Sequence, residues 1–409
     1  MNSTISHILW RFIQTFGKQG VIFIMFFVSS KYLTPLEFST YTYVFVIINI
    51  FVLFCDFWVS SSISKYAADF KYQKSEKLKQ IVPTFTLSIL IIFFILLFLL
   101  MAFWNIFFSK DEYLYLLLSS SLIFFIPMIG IYDGIYRWIQ KFKHLWIINS
   151  IVWIIGICVF VICIKNYWLK WAFIWQLIYN IILYFSLLLL LPIKNTWKFN
   201  KEIFQTITKY AVYIWLATVG YTLFIKADII SMRYFGYMLE IWHYELVTRI
   251  LDILILPFIL IGQVMWPKNN SLFIENKSGA LRKNMIKESL IIFIIWVGIT
   301  FLLYLWFNLL FWLLFPDYTL SILQHIFMIT LISIPIRFFS AYTTQAYITP
   351  SWNFKQTTYS ILFFGIINVI SNIILTPIYW IDAIYISTVV TMLLYLFTKD
   401  ILFVYSLKK

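Results

Sequence analysis

Apolar residues run along this chain in blocks of about twenty, long enough at ~1.5 Å per helical residue to cross ~30 Å of hydrocarbon. They do not alternate as barrel strands would, so the predicted elements are helices. Twelve windows stand out, at about 8 to 33, 40 to 63, 81 to 107, 113 to 136, 145 to 164, 168 to 191, 207 to 232, 241 to 266, 289 to 314, 319 to 346, 357 to 376 and 381 to 405. The connections between them reach at most about 25 residues, which leaves no room for a soluble catalytic domain.

Polar positions inside the windows carry the candidate chemistry. His7, Arg11, Gln14, Thr15 and Lys18 share one helical stripe. Arg11 lies near the end of its window, where a long base snorkels or lines a cavity. Lys18 is placed deeper, because the fifteen or so residues before Thr34-Pro35 span only about 22 Å. In the seventh window Lys226 and Asp228 are two residues apart and do not face each other, so each pairs with another span unless Asp228 snorkels outward. The eighth window carries Glu245, Thr248, Arg249 and Asp252 on one face, either an ion-paired packing surface or part of a site. In the tenth, Thr330, Ser333, Arg337, Ser340 and Thr344 share a face with no acid in the span, and an unpaired Arg there is expected to meet a cavity. Asp56 follows Asn49 by seven residues on the second window. Lys18, Arg11, Lys226, Arg249 and Arg337 are therefore the candidate cationic cavity for an anionic cargo. Asp56, Glu245 and Asp252 are the candidates for carrying a coupling H+ or Na+.

Composition supports the membrane reading. Of 409 residues 62% are hydrophobic and only 12% charged, too few charges for a soluble surface. The net charge of +14 fits cytoplasmic loops against anionic lipid, so nucleic acid is not an expected partner. Twenty-one Lys and Arg follow even-numbered windows, counting Lys399, Lys408 and Lys409 at the C-terminal end, against five after odd-numbered ones. That bias puts both termini in the cytoplasm. The first block lacks a small-residue cleavage site and is expected to stay in the protein. Cys55, Cys158 and Cys163 sit in apolar runs and the four histidines are scattered, so no disulfide framework or metal site is expected. No P-loop, HExxH or GxSxG occurs, so neither catalytic residues nor a cofactor are predicted. The basic linker around Lys194 to Lys209 divides the chain into six-helix lobes at 1–200 and 201–409. A weak internal echo agrees: Tyr32-Leu-Thr-Pro-Leu-Glu37…Tyr41 opens the second window, and Tyr234-Phe-Gly-Tyr-Met-Leu-Glu240…Tyr244 opens the eighth.

Leu33-Thr-Pro-Leu-Glu-Phe-Ser-Thr-Tyr41, Pro267 with its basic loop, and Asn368-Val-Ile-Ser-Asn372 leading through Pro377 to Asp382-Ala383-Ile-Tyr-Ile-Ser-Thr388 carry a resemblance. The chain resembles the polysaccharide transporter branch of the multidrug, oligosaccharidyl-lipid and polysaccharide (MOP) exporter superfamily, and within it the Wzx-type O-antigen flippases. The resemblance implies a MATE-like bundle of two six-helix lobes with alternating access, in the bacterial cytoplasmic membrane. It also implies an undecaprenyl-diphosphate-linked oligosaccharide as cargo, moved from the cytoplasmic to the periplasmic leaflet. A polysaccharide polymerase and a chain-length regulator are the implied protein partners. Trp380 and Asp382 stand where the family turns on glycine, which questions close helix approach there. Two alternatives remain. A drug exporter of the same superfamily would want an acidic cavity, and a membrane polymerase or ligase would want a large outer loop.

Overall fold

The computed structural model describes residues 3–56, 62–63, 78–138, 142–191, 198–275, 277–314, 320–348 and 354–406. Helices and short turns make up these residues, with no strand among them. The chain packs as two units, Met1–Trp215 and Leu216–Lys409. That division falls inside one continuous helix, whereas the linker composition places the lobe boundary at 200/201.

In the first unit, α1 (Ser3–Tyr32) is followed by α2 (Pro35–Asp56), α3 (Leu78–Ala102), α4 (Tyr113–Ser120), α5 (Leu122–Trp138) and α6 (Phe142–Leu189). The Thr34-Pro-Leu-Glu37 motif is a helix start with a local cause. Thr34 N–H donates to Glu37 Oε2 at 2.9 Å and Glu37 N–H to Thr34 Oγ1 at 3.3 Å, a reciprocal capping box with Pro35 at the first helical position. Helix α6 is 48 residues long, yet Trp175 Nε1–H donates to the Gly156 carbonyl at 2.7 Å, nineteen residues away. A straight helix would separate them by about 28 Å, so α6 doubles back as a hairpin. Its reversal lies near Lys165 to Lys170, where the fifth and sixth windows were expected to part. Gly156 allows the close approach, because a Cβ there would sit 2.7 Å from the Tyr179 ring. At the end of this unit α7 (Lys201–Tyr234) begins. Its first turn is fixed by Asn200, whose Oδ1 accepts from Ile203 N–H at 3.1 Å while its own N–H donates to Thr84 Oγ1 on α3 at 3.0 Å.

The second unit takes the rest of α7, then α8 (Met238–Ile274), α9 (Ser278–Leu314), α10 (Leu320–Leu331), α11 (Ile334–Thr343), a π-helical turn (Thr344–Ile348) and α12 (Phe354–Ser406). The echo between the halves does not extend to their helix ends. Helix α7 closes on Gly236 at φ 85°, with Tyr237 N–H reaching the Met232 carbonyl at 2.8 Å and Gly236 N–H the Arg233 carbonyl at 3.2 Å. No side chain caps α8, so Glu240 does not repeat the work of Glu37. The tenth window is not one straight span. Thr330 and Ser333 turn their hydroxyls back onto the carbonyls of Ile326 and Thr330, Pro335 follows, and α10 and α11 are bent by 49°.

Helix α12 also reverses. Thr388 Oγ1 lies 3.0 Å from Asn368 Oδ1 across twenty residues that would span about 30 Å if straight. The corner is Trp380, at φ 60° and ψ −151°, a conformation that suits glycine. Close helix approach is supplied elsewhere, by Gly220 and Gly365: a Cβ on Gly365 would lie 2.8 Å from the Gly220 carbonyl oxygen. The Trp380 ring is 71% exposed, so it packs little within the unit. Trp380→Gly and Trp380→Ala both remove the ring, and only glycine relieves a backbone strain of about 1–3 kcal/mol. We expect the glycine variant to melt several degrees above the alanine variant in a detergent thermal-stability assay; equal melting would show that the corner is unstrained.

Among the described residues eight helices are long and apolar enough to cross a membrane, nine if the bent α10–α11 pair counts as one. The protein is an all-α, multi-pass membrane protein. One residue counted with the cytoplasmic bases is misplaced. Lys399 lies within α12 and is buried, its ammonium 3.1 Å from the Ser340 carbonyl, bonded to the Ser340 and Thr344 hydroxyls, and 3.5 Å from Asp400. Without it the bias is twenty to five. Its apolar surroundings hid the helical register that turns it inward.

Candidate functional site

Three of the five predicted cations lie in the second unit, and α8 supplies both carboxylates that meet them. Glu245 and Asp252 are seven residues apart, two helical turns along one face. Glu245 is buried; it accepts from Arg249 Nε–H at 2.8 Å and lies 3.7 Å from Lys226 Nζ on α7. Asp252 Oδ1 meets Arg337 Nη2 of α11 at 3.2 Å. The expectation of an unpaired Arg337 is thus corrected: its own span has no acid, and the partner comes from α8. Three cations thus meet two carboxylates of α8.

The Arg337–Asp252 pair borders open space. Arg337, Asp252, Thr330, Ser333, Tyr244 and Thr388 line a cavity within this unit. The Arg337 side chain is 12% exposed and that of Asp252 36%, so the pair is reachable from the cavity. Glu245, at 4%, is not. A phosphate or carboxylate entering here would meet the Arg337 guanidinium, while the hydroxyls around it are committed to the Ile326 and Thr330 carbonyls and to Asp228.

A second polar centre touches the same cavity wall. Asp228 is fully buried and receives hydrogen bonds from Tyr244 Oη–H, Asn372 Nδ2–H (2.9 Å), Asn368 Nδ2–H (3.3 Å) and Thr388 Oγ1–H (2.7 Å). Ser387 in turn donates to Asn372, and Thr391 to Asn368 Oδ1 at 3.2 Å. Asp228 therefore faces neutral donors from α8 and both arms of α12, and neither snorkels outward nor forms an ion pair among the described residues. Asn368 and Asn372 turn their amide nitrogens to this carboxylate and their oxygens to Thr391 and Ser387, so it is a buried acid held by neutral donors and able to take up a proton. Sequence reasoning did not name it as a coupling candidate. The signal was present in Asn368 and Asn372, one helical turn apart in an apolar run.

The other predicted residues lie in the first unit. Lys18 is exposed on α1, which runs unbroken through it. Asp56 closes α2 with a half-buried side chain. The side chain of Arg11 lies outside the described residues, as do Lys65, Lys71, Lys74 and Lys77 of the first basic loop and Lys194 of the linker.

Comparison with known proteins bears on this architecture. A family model described as polysaccharide biosynthesis protein matches residues 29–262, more than half of the chain. No curated protein sequence matches. Among solved structures, the fold is similar to that of a lipid II flippase, MurJ, in an inward closed conformation, at TM-score 0.76 and 16% identity, covering 96% of this chain and 87% of that one. It is similar to an inward-facing multidrug resistance MATE family transporter of the MOP superfamily, at TM-score 0.75 and 13% identity, covering 95% of each. A MOP superfamily transporter from Pyrococcus furiosus, whose title reports a reverse polarity of the binding pocket, matches at TM-score 0.67 and 13% identity, covering 98% of this chain and 96% of that one. On a MOP-type fold, and with the family model spanning more than half its length, the chain belongs to the polysaccharide biosynthesis protein family.

Proposed function

We propose that the protein is a flippase that moves an undecaprenyl-diphosphate-linked oligosaccharide from the cytoplasmic to the periplasmic leaflet by alternating access. The observation that carries this reading is the Arg337 guanidinium on the cavity wall of the second unit, held by a single carboxylate contact, with Lys226 and Arg249 gathered on Glu245 in the same unit. A diphosphate is the anionic group of such a cargo, and buried Arg and Lys recognise it by charge-assisted hydrogen bonds while the lipid tail stays in the bilayer. The family match and the fold it shares with a lipid II flippase support the assignment. Lys18 and Arg11 remain candidate contacts for the anionic cargo in this proposal. Twelve crossings, cytoplasmic termini, a place in the bacterial inner membrane and handover to a polymerase with its chain-length regulator belong to the same reading. The drive is membrane potential or an H+ or Na+ gradient, carried by Asp56, Glu245 or Asp252, to which we add Asp228.

The alternative, a drug exporter, would favour cationic cargo and an acidic cavity, and the guanidinium of Arg337 on the cavity wall argues against it. Both readings meet one test. In a strain lacking its own flippase, Arg249→Ala/Arg337→Ala, expressed and inserted at wild-type levels, is expected to cut surface polysaccharide at least tenfold. Full polysaccharide in the variant, or drug resistance conferred by the wild type without polysaccharide, would sink the proposal.

A further inference from the structure

Arg337 and Asp252 meet on the cavity wall, where Glu245 and its two cations do not reach. Glu245 is almost sealed and grips two cations, one of them at 2.8 Å. Asp252 touches Arg337 through a single 3.2 Å contact, longer than the ~2.7–2.9 Å of a tight charge-assisted bond, and both side chains line the cavity. A guanidinium has five N–H donors in a planar fork that fits a phosphate with two bonds at once. Asp252 uses one of them, and the guanidinium makes no other hydrogen bond to a described residue. An entering phosphate therefore finds most of the fork's donors uncommitted, with one carboxylate holding it through a single contact.

We infer that Asp252 is a tethered competitor: it occupies Arg337 while cargo is absent and is displaced when an anionic group binds. This rests on the proposed anion site and adds a residue that sets its affinity. The reason is electrostatic. An empty Arg inside a membrane domain is costly, and it would also trap small anions. A resident carboxylate neutralises it, and each bound phosphate must first break that pair. Affinity is lowered by that amount, which favours release on the far side. A positioning role predicts the opposite sign, because removing a carboxylate that orients Arg337 would weaken binding.

The test uses the full chain in lipid nanodiscs, with inorganic pyrophosphate as the probe in calorimetry. Asp252→Asn is expected to bind pyrophosphate at least tenfold more tightly than wild type, Arg337→Ala more weakly, and the double variant like Arg337→Ala alone. Asp252→Ser is the second variant should Asn fold poorly, with the same outcome expected. Unchanged or weaker binding in both Asp252 variants, with Arg337→Ala still impaired, overturns the competitor while leaving the anion site in place. Arg337→Ala that binds like wild type, or a wild type that does not bind, overturns the anion site and the competitor with it.

Discussion

Asp228→Ala is expected to be among the most damaging single changes in the second unit. The carboxylate is fully buried and collects four donors from α8 and from both arms of the α12 hairpin, so its loss unfastens three helical segments at once. Each stranded buried donor costs about 1–3 kcal/mol, and after partial relaxation we expect a net loss of at least ~3 kcal/mol. In a detergent thermal-stability assay the midpoint should fall on the order of 10 °C, or folded protein should fail to accumulate. Asp228→Asn keeps the shape and one acceptor but turns an amide toward donors, so its midpoint should lie between those of the wild type and Ala. Wild-type stability for Ala would mean that these bonds are not formed in the membrane. The Asn variant also separates structure from transport. If it folds, and flipping then no longer responds to an H+ or Na+ gradient, Asp228 carries the coupling ion in addition to holding the hairpin.

Much of this arrangement was legible in the sequence, and the misses share one physical origin. Window lengths located the helices, including the reversals inside α6 and α12, because burial of apolar length is a local property. The capping box at Thr34 and Glu37 is equally local, a matter of three residues' spacing. Pairing between spans is not local. Lys226 and Asp228 were correctly read as unable to face each other, but nothing near them specifies Glu245 for one and Asn368 with Asn372, about 140 residues on, for the other. Arg337 was misjudged for the same reason, since an acid-free span says only that the partner comes from elsewhere. Lys399 was read as a terminal anchor because hydropathy marks it as an interruption, whereas its helix turns it onto the hydroxyls of Ser340 and Thr344. The hydroxyl stripe of the tenth window was visible. That Thr330 and Ser333 would help to bend it beside Pro335 was a consequence not drawn from it.

Glu245→Ala should be nearly as costly as Asp228→Ala, and its cost should be reversible in a diagnostic way. The change leaves Lys226 and Arg249 without the carboxylate that holds both, and breaking a buried ion pair from one side costs about 3–5 kcal/mol. Removing one cation as well, in Glu245→Ala/Lys226→Met, should recover part of the loss, because the remaining penalty is mainly unmatched charge. If the double variant is no more stable than Glu245→Ala, the role of Glu245 is packing. The same deficit offers a direct reading of the proposed site. An anion that binds only the folded state stabilises it by RT ln(1 + [L]/Kd), about 2.7 kcal/mol at a hundredfold excess over Kd. Pyrophosphate that reaches Lys226 and Arg249 should therefore raise the melting midpoint of Glu245→Ala more than that of the wild type, since at those two cations the variant has no carboxylate to displace. Sulfate at equal ionic strength controls for screening, and a smaller rise in the variant than in the wild type would mean that Lys226 and Arg249 do not face the anion.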